Sequence, residues 1–183
     1  MTTLSFTLPD QSFLYNTLQR CHYIDRSEAG FGDKEDRVQI TDAVQAFFSA
    51  KPGWLSPFLL AGNKVIALLG LTSSFAGVTE KENWWYDARA GKFISFPLQL
   101  FSHSADEIVL GSDGRHFSFR VSFFLQKPAD SSNQKRLAIT TMVQYNSARG
   151  RFSFLPLQPL HKLVVNAFLK NAVANLGKKY QPK

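Results

Sequence analysis

A chain of 183 residues can bury one sizeable core and falls short of two full domains, and its 44% apolar and 19% charged content excludes a disordered chain. Its single cysteine, Cys21, excludes an internal disulfide and a cysteine-built zinc centre, and fits a reducing, cytoplasmic setting. The net charge of +7 is unevenly placed: acids and bases balance over residues 1–148, whereas residues 149–183 carry Arg149, Arg151, Lys162, Lys170, Lys178, Lys179 and Lys183 with no acid.

Residues 1–10 read as a loose N-terminal arm without the basic and apolar regions of a secretory signal. Residues 20–27, with Cys21, Tyr23 and Ile24 among polar neighbours, suggest an early strand. Gly30, Gly32 and the charged run Asp33, Lys34, Glu35, Asp36 predict a turn, and residues 37–40 a short strand. Thr41 is a fitting N-cap for a helix whose apolar side is Ala43, Val44, Ala46, Phe47 and Phe48, and Lys51 before Pro52 should end it. Ser56 and Pro57 open a second helix that ends near Gly70 and is apolar around most of its circumference. At about 21 Å it is too short for the roughly 30 Å hydrocarbon core, so no spanning helix is expected.

Residues 72–92 read as loop, in which Trp84, Trp85 and Tyr86 either anchor the segment or form a contact patch. Strands follow. Residues 93–102 form the first, with Pro97 marking an edge or a bulge. Residues 107–110 form a second, ended by a turn at Gly111, Ser112, Asp113 and Gly114. Residues 115–126 are the clearest strand: Phe117, Phe119, Val121, Phe123 and Leu125 alternate with His116, Ser118, Arg120, Ser122 and Gln126. The first set faces a core, and the second is expected to meet water mostly. Residues 136–146 form a further strand with Ile139, Thr140, Thr141 and Val143, and short connections make the set an antiparallel meander. A last helix runs from Leu157 to about Leu176, with Leu160, Leu163, Val164, Ala167, Phe168, Ala172 and Leu176 on one face and Gly177 as C-cap. Sheet and helix each leave an apolar face, so they pack together in one α+β domain spanning residues 1–183.

Three groups of phrases carry a family resemblance. The first is Pro52-Gly53-Trp54, then Leu60-Ala61-Gly62-Asn63-Lys64 and Gly70-Leu71. The second runs through residues 107–122, and the third joins residues 140–146 to Gly150-Arg151, Leu155-Pro156-Leu157 and residues 159–164. In order and spacing they resemble the DUF2867 family of uncharacterised bacterial proteins. That resemblance implies a helix-grip fold of the START-like, SRPBCC type, in which a curved antiparallel sheet wraps a long C-terminal helix. It also implies a cavity between sheet and helix that often holds an apolar ligand; some relatives in the broader group are cyclases or hydrolases and many are carriers. This chain departs from the family pattern at Ser112 and Arg115, where an acid and a lysine are frequent.

On these grounds the expected function is binding of a small hydrophobic molecule. Phe117, Phe119, Val121, Phe123, Ile139, Leu163, Val164 and Phe168 are the cavity-lining candidates, and the same residues are plain core if the helix seats fully. The polar candidates are His116, Arg120, Arg149 and His161. A histidine is a possible acid or base, and an arginine a fork for carboxylate or phosphate. His116 and Arg120 lie about 13 Å apart along one strand, however, which also fits an ordinary polar face. An enzyme acting on an apolar substrate is the alternative, and a protein attached to anionic membranes through residues 149–183 is another. The histidines show no metal-ligand spacing, and serine-nucleophile, phosphate-loop and dinucleotide patterns are absent, so no metal, cofactor or nucleic acid is expected.

Overall fold

The alternating segment at residues 115–126 occupies the middle of a five-stranded antiparallel sheet. The computed structural model describes residues 12–16, 20–50, 86–87, 92–93, 98–127 and 134–180. In chain order the elements are a 3-10 turn (Phe13–Asn16), β1 (Tyr23–Gly32), α1 (Ile40–Ser49), β2 (Tyr86–Asp87), β3 (Lys92–Phe93), β4 (Gln99–His103), β5 (Glu107–Asp113), β6 (Phe117–Gln126), β7 (Gln134–Tyr145), α2 (Ala148–Phe154) and α3 (Leu157–Lys179). The sheet runs β1-β7-β6-β5-β4, and β2 and β3 form a separate two-stranded ribbon. The arm at residues 1–10, the helix opened by Ser56 and the Trp84–Trp85 pair lie outside the described residues.

Register decides which side chains share a face. Phe123 opposes Ile139, Val121 opposes Thr141, and Leu125 opposes Leu137, while Ser27 and Ala29 of β1 oppose Ile139 and Leu137. These residues face α1 and α3, which lie side by side across the sheet, α3 over β1 and α1 over β6. The core joins Phe47 of α1, Phe123 of β6 and Phe168 of α3, with ring centroids 5.1 and 5.3 Å from Phe47. The curved sheet holding a long C-terminal helix is the helix-grip arrangement.

Several local expectations are corrected. β1 continues through Gly30 and Gly32, and the turn is confined to the residues after them. There Asp33 accepts from the amides of Arg37 and Val38 and meets the Lys135 ammonium at 2.7 Å, while Asp36 takes the left-handed backbone at φ 52°. Residues 37–39 make no strand, and Ile40 already begins α1. Its N-cap is Gln39 rather than Thr41, and the Asp42 carboxylate accepts from the Gln39 amide at 3.0 Å. Within the stretch read as loop, Tyr86–Asp87 pairs with Lys92–Phe93. β4 is the sheet edge, with an irregularity between Leu100 and Ser102.

Gly111, Ser112 and Asp113 do not turn; they extend β5, and the reversal occurs at residues 114–116. Gly111 is there for space. A Cβ on it would stand 2.2 Å from the Phe119 carbonyl and 2.8 Å from the Arg120 side chain. The connection after β7 contains α2, capped by Ser147 Oγ accepting from the Gly150 amide. In α3 the buried stripe is Val165, Leu169, Ala172 and Leu176, because α3 faces α1 as well as the sheet. Leu163 is 53% exposed, and the helix runs through Gly177 to Lys179.

The opposite face of the sheet is also covered, against expectation. Ser118, Arg120, Ser122 and Thr140 are buried there. Leu14 of the 3-10 turn packs on Val109 and Met142. Beside it Glu107, 1% exposed, accepts hydrogen bonds from Ser12 Oγ, the Phe13 amide and Ser122 Oγ. Arg120 lies under the ring of Phe101, 3.4 Å from its centroid, and pairs with Asp113 at 2.8 Å. Ser118, Ser122 and the Arg120 guanidinium stay buried because each finds partners, although Arg120 Nε itself has none.

Candidate functional site

The core face is unevenly sealed along β6. Phe123 and Leu125 are buried beneath α1, whereas Phe117, Phe119 and Val121, on the same face toward the start of the strand, remain half-buried. The neighbouring start of α3 brings polar groups to this half of the sheet. His161 Nε2 lies 3.1 Å from Thr141 Oγ1, and Thr141 is buried in the centre of β7. Opposite Thr141 in register stands Asp25 of β1, also buried. Lys162, the next residue of α3, reaches toward it from solvent, with its ammonium 3.6 Å from Asp25 Oδ1.

Rings close the end of this region. Phe154 of α2 meets Tyr23 at 5.2 Å, Tyr145 at 6.0 Å and Phe117 at 6.1 Å between centroids. Tyr23 lies edge-on to His161 at 6.4 Å, and Gln158 Nε2 donates to the Tyr145 hydroxyl at 3.0 Å. α2 is held close by Gly150, where a Cβ would stand 2.0 Å from the His116 carbonyl. Ser147 binds His116 Nδ1 at 3.1 Å.

Electrostatics follow from burial and from Asp25. Burial pushes the Tyr23 phenol up to about 12, helped by the Asp25 carboxylate and by Tyr145. Burial lowers the His161 pKa below its usual value, and the Asp25 charge only partly restores it. The imidazole is therefore held toward its neutral form, in which one nitrogen donates and the other accepts. The arrangement offers a hydroxyl, an imidazole and a carboxylate at the inner end of an aromatic and aliphatic wall.

Of the sequence candidates, Phe117, Phe119 and Val121 line this half-open stretch. Phe123 and Ile139 lie in the sealed part; Val164 and Phe168 are half-buried on α3, and Leu163 turns outward. Among the polar candidates only His161 joins the group. Arg120 occupies the other face of the sheet, His116 ties the β5–β6 hairpin to α2, and Arg149 is exposed on α2. Asp25, Tyr23, Tyr145 and Phe154 escaped the sequence reading. Period-two alternation was available for the first two: Tyr23, Ser27, Ala29 and Phe31 share one face of β1, and an aspartate in that series is out of character. A shallow groove of about 590 Å³ lies elsewhere, lined by Asp106, Phe124, Leu125, Gln126, Lys127 and Arg136. Among the described residues no cluster of three acidic, histidine or cysteine side chains is placed to hold a metal ion.

Comparison with known proteins gives a family and distant structural likenesses. The family model described as "Protein of unknown function (DUF2867)" matches residues 17–168. No curated protein matches the chain. Among solved structures, a conserved protein from Geobacillus kaustophilus is similar with a TM-score of 0.39 and 9% identity, over 87% of this chain and 98% of that one. A protein from Deinococcus radiodurans is similar with a TM-score of 0.31 and 13% identity, over 77% of this chain and 98% of that one.

Proposed function

We propose the following function for this chain, which belongs to the DUF2867 family: it binds a small hydrophobic molecule against the core face of its sheet, beside the start of α3. The observation that carries the reading is the contrast along β6, where Phe123 and Leu125 are shut in under α1 while Phe117, Phe119 and Val121 stay half-buried. Rings left partly wet beside a packed core are an attractive surface for an apolar ligand. Removing about 200 Å² of apolar surface from water contributes roughly 5 kcal/mol before the costs of ordering.

Blocking the surface tests the proposal. Wild-type protein should shift and brighten the emission of Nile red, a neutral apolar dye. Val121→Trp, which fills the half-open stretch, should abolish that response while thermal unfolding shows an intact fold. Undiminished dye binding by a folded Val121→Trp protein would place the ligand elsewhere.

A further inference from the structure

We infer that the ligand carries a cationic amine head, received by the carboxylate of Asp25. The inference rests on the binding reading above and adds the chemistry of the ligand's polar end. The β1–β7 register sets Asp25 on the core face opposite Thr141, and its side chain is only 9% exposed. Its oxygens are not among the polar atoms sealed from solvent without a partner, so water or a ligand group can reach them. Among the described residues none donates a hydrogen bond to Asp25. The Thr141 hydroxyl is engaged with His161. The nearest cation, Lys162 Nζ, stands at 3.6 Å, beyond hydrogen-bond reach, on a side chain that is 62% exposed and free to swing away.

The charges around Asp25 favour the same head group. His161 is held toward neutrality by burial, and Tyr23 and Tyr145 bring no positive charge. Among the described residues only Lys162 would offset the repulsion between Asp25 and a ligand carboxylate. An ammonium would supply the missing donors, displace Lys162 into solvent and lie beside the ring of Tyr23.

The test is calorimetric titration of the full chain at neutral pH with phenylbutylamine, phenylbutanol and phenylbutyrate, which share one apolar body. The amine should bind about tenfold more tightly than the alcohol, and the butyrate most weakly. Asp25→Asn should erase the amine's advantage and keep alcohol binding. Lys162→Met, at an exposed position, should strengthen amine binding by removing the competing cation, and it decides the matter if Asp25→Asn fails to fold. Equal binding of amine and alcohol, or amine binding unchanged in both variants, overturns the amine assignment and leaves the apolar face standing. Failure of all the probes to bind would remove both.

Discussion

The imidazole of His161 sits between Thr141 Oγ1 and the ring of Tyr23, and burial disfavours its charged form more than Asp25 favours it. Its folded pKa therefore lies below the value of about 6.5 expected in the unfolded chain. For such a group the unfolded state binds more protons between the two values, so stability falls as pH falls. The contribution is fully present above pH of about 6.5 and is lost as pH drops through the folded value. Urea unfolding should show stability declining on mild acidification, and His161→Gln should flatten that decline. An equally steep decline in the variant would mean that His161 is not the group responsible. The carboxylates act in a more acidic window: Asp36 is held down to about 2 by Lys127 and Lys135, so its contribution is fully present above its unfolded value and is lost as pH falls from there through about 2. His161 was legible in the sequence as a candidate, but its partners were not. Thr141 and Asp25 come from β7 and β1, more than a hundred residues apart, and only the strand pairing brings them together.

At the level of elements, the two glycines in the C-terminal helices offer opposite tests. Gly177 lies inside α3, and a Cβ added to it would meet nothing within 4 Å. Gly177→Ala should therefore stabilise by about 0.5–1 kcal/mol, by restricting the unfolded chain and improving helix propensity. Gly150 instead lets α2 touch the His116 carbonyl, and Gly150→Ala should cost about 2 kcal/mol or more as α2 is forced off the sheet. Chemical denaturation measures both. A loss of stability in Gly177→Ala would restore the C-cap that the sequence suggested. Glycine after an apolar run is a common stop signal, but here the packing of Leu176 and the hydrogen bond from the Tyr180 amide to its carbonyl carry the helix further. The displaced stripe on α3 has a similar origin. Periodicity locates an apolar face, and the neighbour α1 selects Val165 and Leu169 over Leu163.

For the molecule as a whole, the packing of the sheet on the long last helix was legible because β6 alternates and α3 is long, whereas the pairing of α1 with α3 was not. The covering of the second sheet face was not. Ser118, Arg120 and Ser122 look like a solvated series, and the partners that satisfy them, Glu107, Asp113 and Asn146, are supplied by other strands and turns. Leu14 and Glu107 cover the middle of that face, with Phe13 and Phe101 exposed beside them, while the half-buried rings of the core face stand next to His161 and Asp25. Of the basic excess, Lys162 reaches Asp25, while Arg149, Arg151, Lys170, Lys178 and Lys179 are exposed on α2 and α3, the last two complementing the helix dipole. Among the described residues no helix is long and apolar enough to cross a membrane. The most direct measurement is a map of backbone amide NMR shifts during titration with phenylbutanol. The account predicts that the shifts gather on Tyr23, Asp25, Phe117, Phe119, Val121, Thr141 and His161. Shifts gathered instead on Asp106, Phe124, Lys127 and Arg136, or absent altogether, would contradict it.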